Sequence, residues 1–312
     1  MRSVSHLFPF TPLLMIFPGM QIHFPLISRS TLLHLRIPFS LFLLPVFLIA
    51  LTVSPGFDPC NAIVIFISLH VFLYPGASGF NAYYDRDTES IGMLRKPPVV
   101  TSDLLWVSLG FKTAAVLTAF FAGPVMAWGC LLYASASILY SWDKTRLKRW
   151  PFTGWLITGI GQGFITFIAI TSSLSENGFA LPSSDQLIAA ICMTLMILAA
   201  SPLLEIFQHQ QDEKRGDITI SRYAGVRGTI ILSGVLFGAS VTGFTYLFIS
   251  IIGTMCAVLF LLLLIPAFLL FLRFSWKIVF NSLSPDYHQV MQIAIAASTG
   301  FNSFGLITLL WR

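Results

Sequence analysis

The run Ser250-IIGTMCAVLFLLLLIPAFLLF-Leu272 carries no charged side chain from end to end. As a helix it is long enough to cross the roughly 30 Å hydrocarbon core of a bilayer. Backbone amides in lipid must find partners within their own segment, so such a run is read as a helix and not as an open strand. The rest of the chain is of the same kind. Of 312 residues 56% are hydrophobic and 10% charged, where a water-soluble globular protein has about 25% charged. Mean hydropathy is +0.82, which leaves too little polar surface to cover a soluble fold of this size.

Working outward from 250–272, apolar spans are expected at about 35–54, 58–83, 102–121, 124–141, 152–174, 185–209, 227–248, 250–272 and 287–310. Only Gly123-Pro124 separates the third from the fourth, and almost nothing separates the seventh from the eighth, so the count is nine, or eight if one break is misplaced. The fold class is therefore all-α: a polytopic membrane protein of about nine transmembrane helices. Residues 1–30 are apolar but broken by Pro9, Pro12, Pro18 and Pro25, which makes them a poor spanning helix. They lack a convincing signal peptide and are read as an N-terminal extension, with Met15 or Met20 as alternative starts; the membrane domain is expected over 31–312.

The basic residues set an orientation. Arg2, Arg29 and Arg36 precede span one; Arg86, Arg95 and Lys96 follow span two; Lys144, Arg146, Lys148 and Arg149 follow span four. Lys214, Arg215, Arg222 and Arg227 follow span six, and Arg273 and Lys277 follow span eight. The alternate connections, near Asp58, Gly123, Glu176 to Asp185 and Ile251, carry none, so sixteen of the eighteen basic residues lie on one side. The positive-inside rule makes that side cytoplasmic, in the inner membrane, with the N-terminus in. Lys112 and Arg312 are the exceptions. The formal net charge of +5 is thus explained by topology, and a nucleic-acid partner is set aside. Cys60, Cys130, Cys192 and Cys256 are widely spaced with no CxxC or Cys/His cluster, and read as small buried hydrophobes.

Two of the basic-side connections are also acidic. One reads Asn81-AYY-Asp85-R-Asp87-T-Glu89, with Arg95-Lys96-Pro97-Pro98 after it; the other reads Gln208-HQQ-Asp212-Glu213-Lys214-Arg215-Gly216-Asp217-I-Thr219. Six of the thirteen carboxylates fall in these two stretches. If helix continues through the first, Asn81, Asp85 and Glu89 stand four apart on one stripe; Gln208 and Asp212 repeat the amide-then-Asp offset. Crowded carboxylates repel unless a cation sits among them. Mg²⁺ takes one or two carboxylates together with phosphate oxygens, and neighbouring Arg and Lys would meet the remaining phosphate charge. The pair of clusters describes a site for a diphosphate bridged by Mg²⁺. Taken singly, each is the kind of solvated loop with surface ion pairs that many membrane proteins carry.

These stretches resemble the two acidic motifs of the UbiA superfamily of intramembrane prenyltransferases, NDxxDxxxD and DxxxD followed by Gly and Thr. Asn81 and Asp85 match, Glu89 stands for the last Asp, and Asp87 falls where many members carry a DRDTD variant. Asp212, Gly216, Asp217 and Thr219 fit the second motif. Ala82 and Gln208 depart from Asp positions of the pattern. Tyr140-Ser141-WDKT-Arg146-L-Lys148-Arg149-W-Pro151 is similar to the family's YS…RLKR stretch. The resemblance covers about 31–312 and implies that the nine or so helices surround a central cavity, and that a prenyl group is transferred from a polyprenyl diphosphate to an aromatic or other lipophilic acceptor within the bilayer. By the same resemblance Mg²⁺ would sit on Asp85, Asp87, Glu89, Asp212 and Asp217. The diphosphate would meet Arg95, Lys96, Arg146, Lys148, Arg149, Lys214 and Gln208, with Asp85, Asp212, Asn81 and Tyr140 at the chemistry. Tyr83, Tyr84, His209, Gln162 and Glu205 are further polar or aromatic candidates, packing and helix-end hydrogen bonding being the plainer roles for them. Two other readings stay open: a secondary transporter of an anionic or lipid-like solute, and a family member that binds prenyl diphosphate without turnover.

Overall fold

Caps and breakers set the helix ends. The computed structural model describes residues 27–174, 180–281 and 284–311; most of the expected N-terminal extension, Glu176 and Arg312 lie outside them. Among the described residues nine helices are long and apolar enough to cross a membrane. They are α1 (Arg29–Val53), α2 (Pro59–Asp85), α3 (Asp103–Ala122), α4 (Pro124–Ser141), α5 (Pro151–Ser173), α6 (Ser184–Glu205), α7 (Ile220–Ile251), α8 (Thr254–Phe280) and α9 (Tyr287–Leu310). The protein is an integral membrane protein, and the described residues form no named strand, only an isolated bridge between Ile91 and Leu94.

The break between the third and fourth spans falls where the sequence marks it. Gly123 (φ 116°) turns α3 into α4, with Pro124 opening α4; Gly253 (φ 107°) does the same between α7 and α8. Both conformations are costly for a residue with a Cβ. Several ends differ from the apolar runs. The first span begins at Arg29 and is interrupted by Arg36 in the left-handed region (φ 46°), before a 3₁₀ turn over Ile37–Phe42. The sixth ends at Glu205, four residues before the expected limit. The eighth continues to Phe280, beyond the apolar run and through Arg273 and Lys277. Inside α7, Gly225 is non-helical, so the long apolar helix resumes close to the 227 read from hydropathy.

Packing relies on small residues, as expected where lipid supplies no hydrophobic drive between helices. A Cβ on Gly163 of α5 would lie 2.6 Å from Thr194 Cα of α6, so these helices touch backbone to backbone. α6 also packs along α7, where Ser240 donates to the Cys192 carbonyl at 2.7 Å, and α8 packs along α9. A buried aromatic cluster of Phe244, Phe248, Phe260, Phe301 and Phe304 fills the space between α7, α8 and α9, with Phe248 and Phe304 ring centroids 4.5 Å apart. Cys130, Cys192 and Cys256 are buried free thiols; Cys60 is free but exposed, because it sits in the first turn of α2. Wide π-type turns interrupt α2 at Ile67–Leu73 and α5 at Ile160–Ile165.

Candidate active site

The two acidic stretches do not continue their helices, and this shapes the site. α2 stops at Asp85, because Arg86 turns left-handed (φ 49°) and its N–H closes onto the Ala82 carbonyl. The Asn81-Asp85-Glu89 stripe is therefore broken after Asp85. Asp87 swings back inward while Glu89 stays 52% exposed, its one ion pair among the described residues being to Lys214 at 3.8 Å. On the other side α6 ends at Glu205, and a short helix, His209–Arg215, begins at Gln208 without a side-chain cap. Gly216 (φ 75°) closes that helix, its N–H reaching the Asp212 and Glu213 carbonyls, and the Asp217 N–H reaches Asp212 O at 2.9 Å. This left-handed glycine closure puts Asp212 and Asp217 on the same side of the loop.

The two loops meet through guanidinium groups. Arg146, from the α4–α5 loop, grips Asp217 with two parallel bonds of 2.8 Å and reaches Asp85 at 3.3 Å. Arg215 pairs with Asp87 and, at 2.7 Å, with Asp212, its Nε lying 3.6 Å from Asp217. Each arginine thus ties a carboxylate of the first stretch to one of the second. Lys148 pairs with Asp85 and donates to Asn81 Oδ1 at 3.2 Å; Asn81 in turn donates to Asp85 at 2.9 Å and accepts from Ser141 at 2.8 Å. The amide of Gln211, in its hydrogen-bonding orientation, joins Asp87 Oδ1 to the Glu89 N–H, each at 2.9 Å.

These groups are largely out of water. Side chains of Asp85, Asp87, Asp212 and Asp217 are 6%, 6%, 5% and 2% exposed. Burial pushes the Asp87 and Asp212 carboxyls above the ordinary aspartate range; the neighbouring charge of Asp85 adds to this at Asp87, and that of Asp217 at Asp212. The bond to Asp217 holds the Arg146 guanidinium above its usual range. Burial works against the Arg215 charge, but Asp85, Asp87 and Asp212 together outweigh it and raise its pKa. His209 is lowered by burial and by Arg222, and its Nε2 shares a 2.7 Å hydrogen bond with Ser221.

Of the residues singled out from sequence, the structure gathers Asn81, Asp85, Asp87, Arg146, Lys148, Asp212 and Asp217. It leaves Glu89, Arg95, Lys96, Arg149 and Lys214 exposed, and Gln208 half-buried. Tyr140 lies behind the cluster, its ring 6.0 Å from Lys148 Nζ, in a hollow also lined by Trp155, Ser201 and Glu205. Gln162 is engaged by Tyr133 at 3.0 Å, and the Tyr83 and Tyr84 rings pack edge to face. Arg215 and Gln211 are the members that sequence reasoning left out of the site. Arg215 was visible only as one more basic residue; its signal is its place three residues after Asp212 on one helical turn.

The chemistry of this donor set follows from its charges. Among the described residues, direct ion pairs join these four carboxylates to three cations, Arg146, Lys148 and Arg215. A polyanion such as a diphosphate enters such a site only with added positive charge. All the donors are hard oxygens, which fit Mg²⁺. Among the described residues no three His, Cys, Asp or Glu side chains are grouped so as to hold a metal ion by themselves, so ligand oxygens would have to complete any such coordination.

Fold and site together define a class: a polytopic α-helical membrane protein with a carboxylate-rich, arginine-bridged polar site at one end of its bundle. The UbiA prenyltransferase family model matches residues 42–296, and the chain belongs to that family. A UbiA homolog from Archaeoglobus fulgidus, solved bound to GPP and Mg²⁺, superposes with TM-score 0.63 at 19% identity, covering 90% of this chain and 99% of that one. The apo UbiA homolog from Aeropyrum pernix K1 gives 0.65 at 16%, covering 88% and 99%. A structure reported for digeranylgeranylglyceryl phosphate synthase gives 0.55 at 14%, covering 89% and 98%. At these identities the likeness is one of fold. Comparison with curated proteins yields no match.

Proposed function

We propose that this protein transfers a prenyl group from a polyprenyl diphosphate to an aromatic or other lipophilic acceptor, with Mg²⁺ and with release of pyrophosphate. The observation that carries the reading is the pair of bridges, Asp85–Arg146–Asp217 and Asp87–Arg215–Asp212, which focus both acidic stretches on one place. Family membership, and the GPP and Mg²⁺ bound by the Archaeoglobus relative, support it.

In this reading Asp85, Asp87, Asp212 and Asp217 hold Mg²⁺, with Glu89 at the rim. Bound there, Mg²⁺ supplies Lewis-acid charge to the departing pyrophosphate. Arg146 and Lys148, already fixed by their carboxylates, donate to phosphate oxygens; Arg149, Arg95, Lys96 and Lys214 draw the anion in from the exposed rim, and Gln208 offers a neutral amide. Such preorganised donors act most strongly where water is excluded. Asn81 holds Asp85 and Lys148 in register. The Tyr140 ring, behind Lys148, presents a π-face to the allylic cation as the carbon–oxygen bond breaks. The site faces the cytoplasm, on the side where the basic loops collect.

The experiment is a pyrophosphate-release assay on purified, membrane-reconstituted protein with prenyl diphosphates and a panel of acceptors. Turnover is expected only with Mg²⁺, and Asp85→Asn or Asp212→Asn should abolish it while the protein stays folded. Undiminished turnover in EDTA, or in either variant, would overturn the reading.

A further inference from the structure

A second polar site lies away from the carboxylate cluster, between the ends of α8 and α9. There a cleft of about 340 Å³ is lined by Arg273 and Lys277 of α8 and by His288, Gln289 and Gln292 of α9, over a floor of Leu270 and Phe274. Arg273 and Lys277 stand one helical turn apart, as do His288 and Gln292, so two polar stripes on antiparallel helices face each other. Every polar side chain in the lining can donate a hydrogen bond, and none is a carboxylate. Among the described residues no ion pair involves Arg273 or Lys277. Asp286, the nearest acid in sequence, caps the α9 N-terminus through the His288 N–H at 3.0 Å. In the first site, by contrast, Arg146, Lys148 and Arg215 are each matched to carboxylates.

The depth is informative. Phe207 and Tyr287 rings meet at 5.3 Å, so this cleft opens at the same end of the bundle as the acidic loops. Arg273 is seven residues inside the Phe280 end of α8, roughly 10 Å along the axis. Trp276 and Phe280, 61% and 65% exposed with rings 4.3 Å apart, flank it as aromatic residues do at the headgroup level. Cations without an ion pair at the headgroup level attract anionic lipid. Beyond the cleft, Leu269, Leu272 and Ile295 are exposed apolar surface on the same two helices, suited to acyl chains.

We propose that the α8–α9 cleft binds the phosphate headgroup of an anionic phospholipid, with Arg273 and Lys277 as the charged contacts and His288, Gln289 and Gln292 as donors. The volume is within the roughly 300–1,000 Å³ of ordinary ligand pockets, and a basic cleft between helices at headgroup depth suits such lipids. The proposal stands apart from the catalytic reading and needs none of its residues.

The test is native mass spectrometry of the full chain in detergent, titrated with phosphatidylglycerol, with phosphatidylcholine of the same chains, or with inorganic phosphate. Phosphatidylglycerol should be retained in preference to phosphatidylcholine and should resist millimolar phosphate. Arg273→Gln with Lys277→Gln should weaken retention about thirtyfold, as expected for two interfacial cations, and Lys277→Gln alone about fivefold; Arg273→Lys should keep most of it. Equal retention of the two lipids, or retention unchanged in the variants, would overturn the proposal. Displacement by inorganic phosphate alone would overturn the lipid as its source.

Discussion

Replacing Arg215 by Gln tests the coupling between the two acidic loops. The Arg215 side chain is 19% exposed, and the guanidinium contacts Asp87 and Asp212, whose side chains are 6% and 5% exposed. Its loss leaves four clustered carboxylates facing two cations, Arg146 and Lys148. Removing one partner of a buried pair costs about 3–5 kcal/mol; with the side chain one-fifth exposed, and with Asp87 and Asp212 able to take up a proton, the lower end, about 3 kcal/mol, is expected. Because a divalent cation bound to the same carboxylates restores the missing charge, the deficit should shrink when Mg²⁺ is present. Arg215→Lys should fall between, keeping the charge but losing the fork that spans two carboxylates. The assay is thermal unfolding of the reconstituted protein in EDTA and in Mg²⁺, compared by midpoint. A variant as stable as the parent in EDTA would refute the view that Arg215 holds the loops together. A deficit of the same size in both buffers would refute the view that those carboxylates take the metal.

Other consequences follow from the same contacts. Lys148→Met should remove Mg²⁺-dependent prenyl diphosphate binding by at least tenfold, read by equilibrium binding, since it strips a charge-assisted donor worth about 1.5–3 kcal/mol from the cluster. Glu89→Gln and Lys214→Ala, which disturb only a 3.8 Å pair between exposed side chains, should leave stability within about 1 kcal/mol of the parent in the same unfolding assay. Gly163→Leu should lower the unfolding midpoint, by the equivalent of about 1–3 kcal/mol, because overpacking forces α5 away from Thr194 of α6.

Much of this architecture was legible from residue order. Hydropathy located all nine spans because each must cross the same apolar thickness, and Gly123-Pro124 marked its own turn, whereas the turn at Gly253 lies within one uninterrupted apolar run and shows only in the backbone. The clustering of Asp85, Asp87, Asp212 and Asp217 at like-facing helix ends could be read from the alternation of basic loops. What could not be read is where helices stop inside polar sequence. Asn81, Asp85 and Glu89 have helical spacing, yet the left-handed Arg86 breaks the stripe, sending Asp87 inward and Glu89 outward. Arg215 looked like any loop cation, since its role depends on Asp87, 128 positions earlier in the chain. The polar stripes of α8 and α9 were hidden for the same reason. Arg273 and Lys277 read as loop residues after an apolar run, and only the continuation of α8 to Phe280 places them on a helix face.

The account rests on carboxylates from two distant helix ends acting on one ligand. Its most direct test is a double-mutant cycle of Asp85→Asn and Asp212→Asn on the Mg²⁺-dependent affinity for a prenyl diphosphate. Strong non-additivity is predicted, with either single change costing nearly as much as both together. Independent, additive losses, or affinity unchanged by removing Mg²⁺, would contradict it.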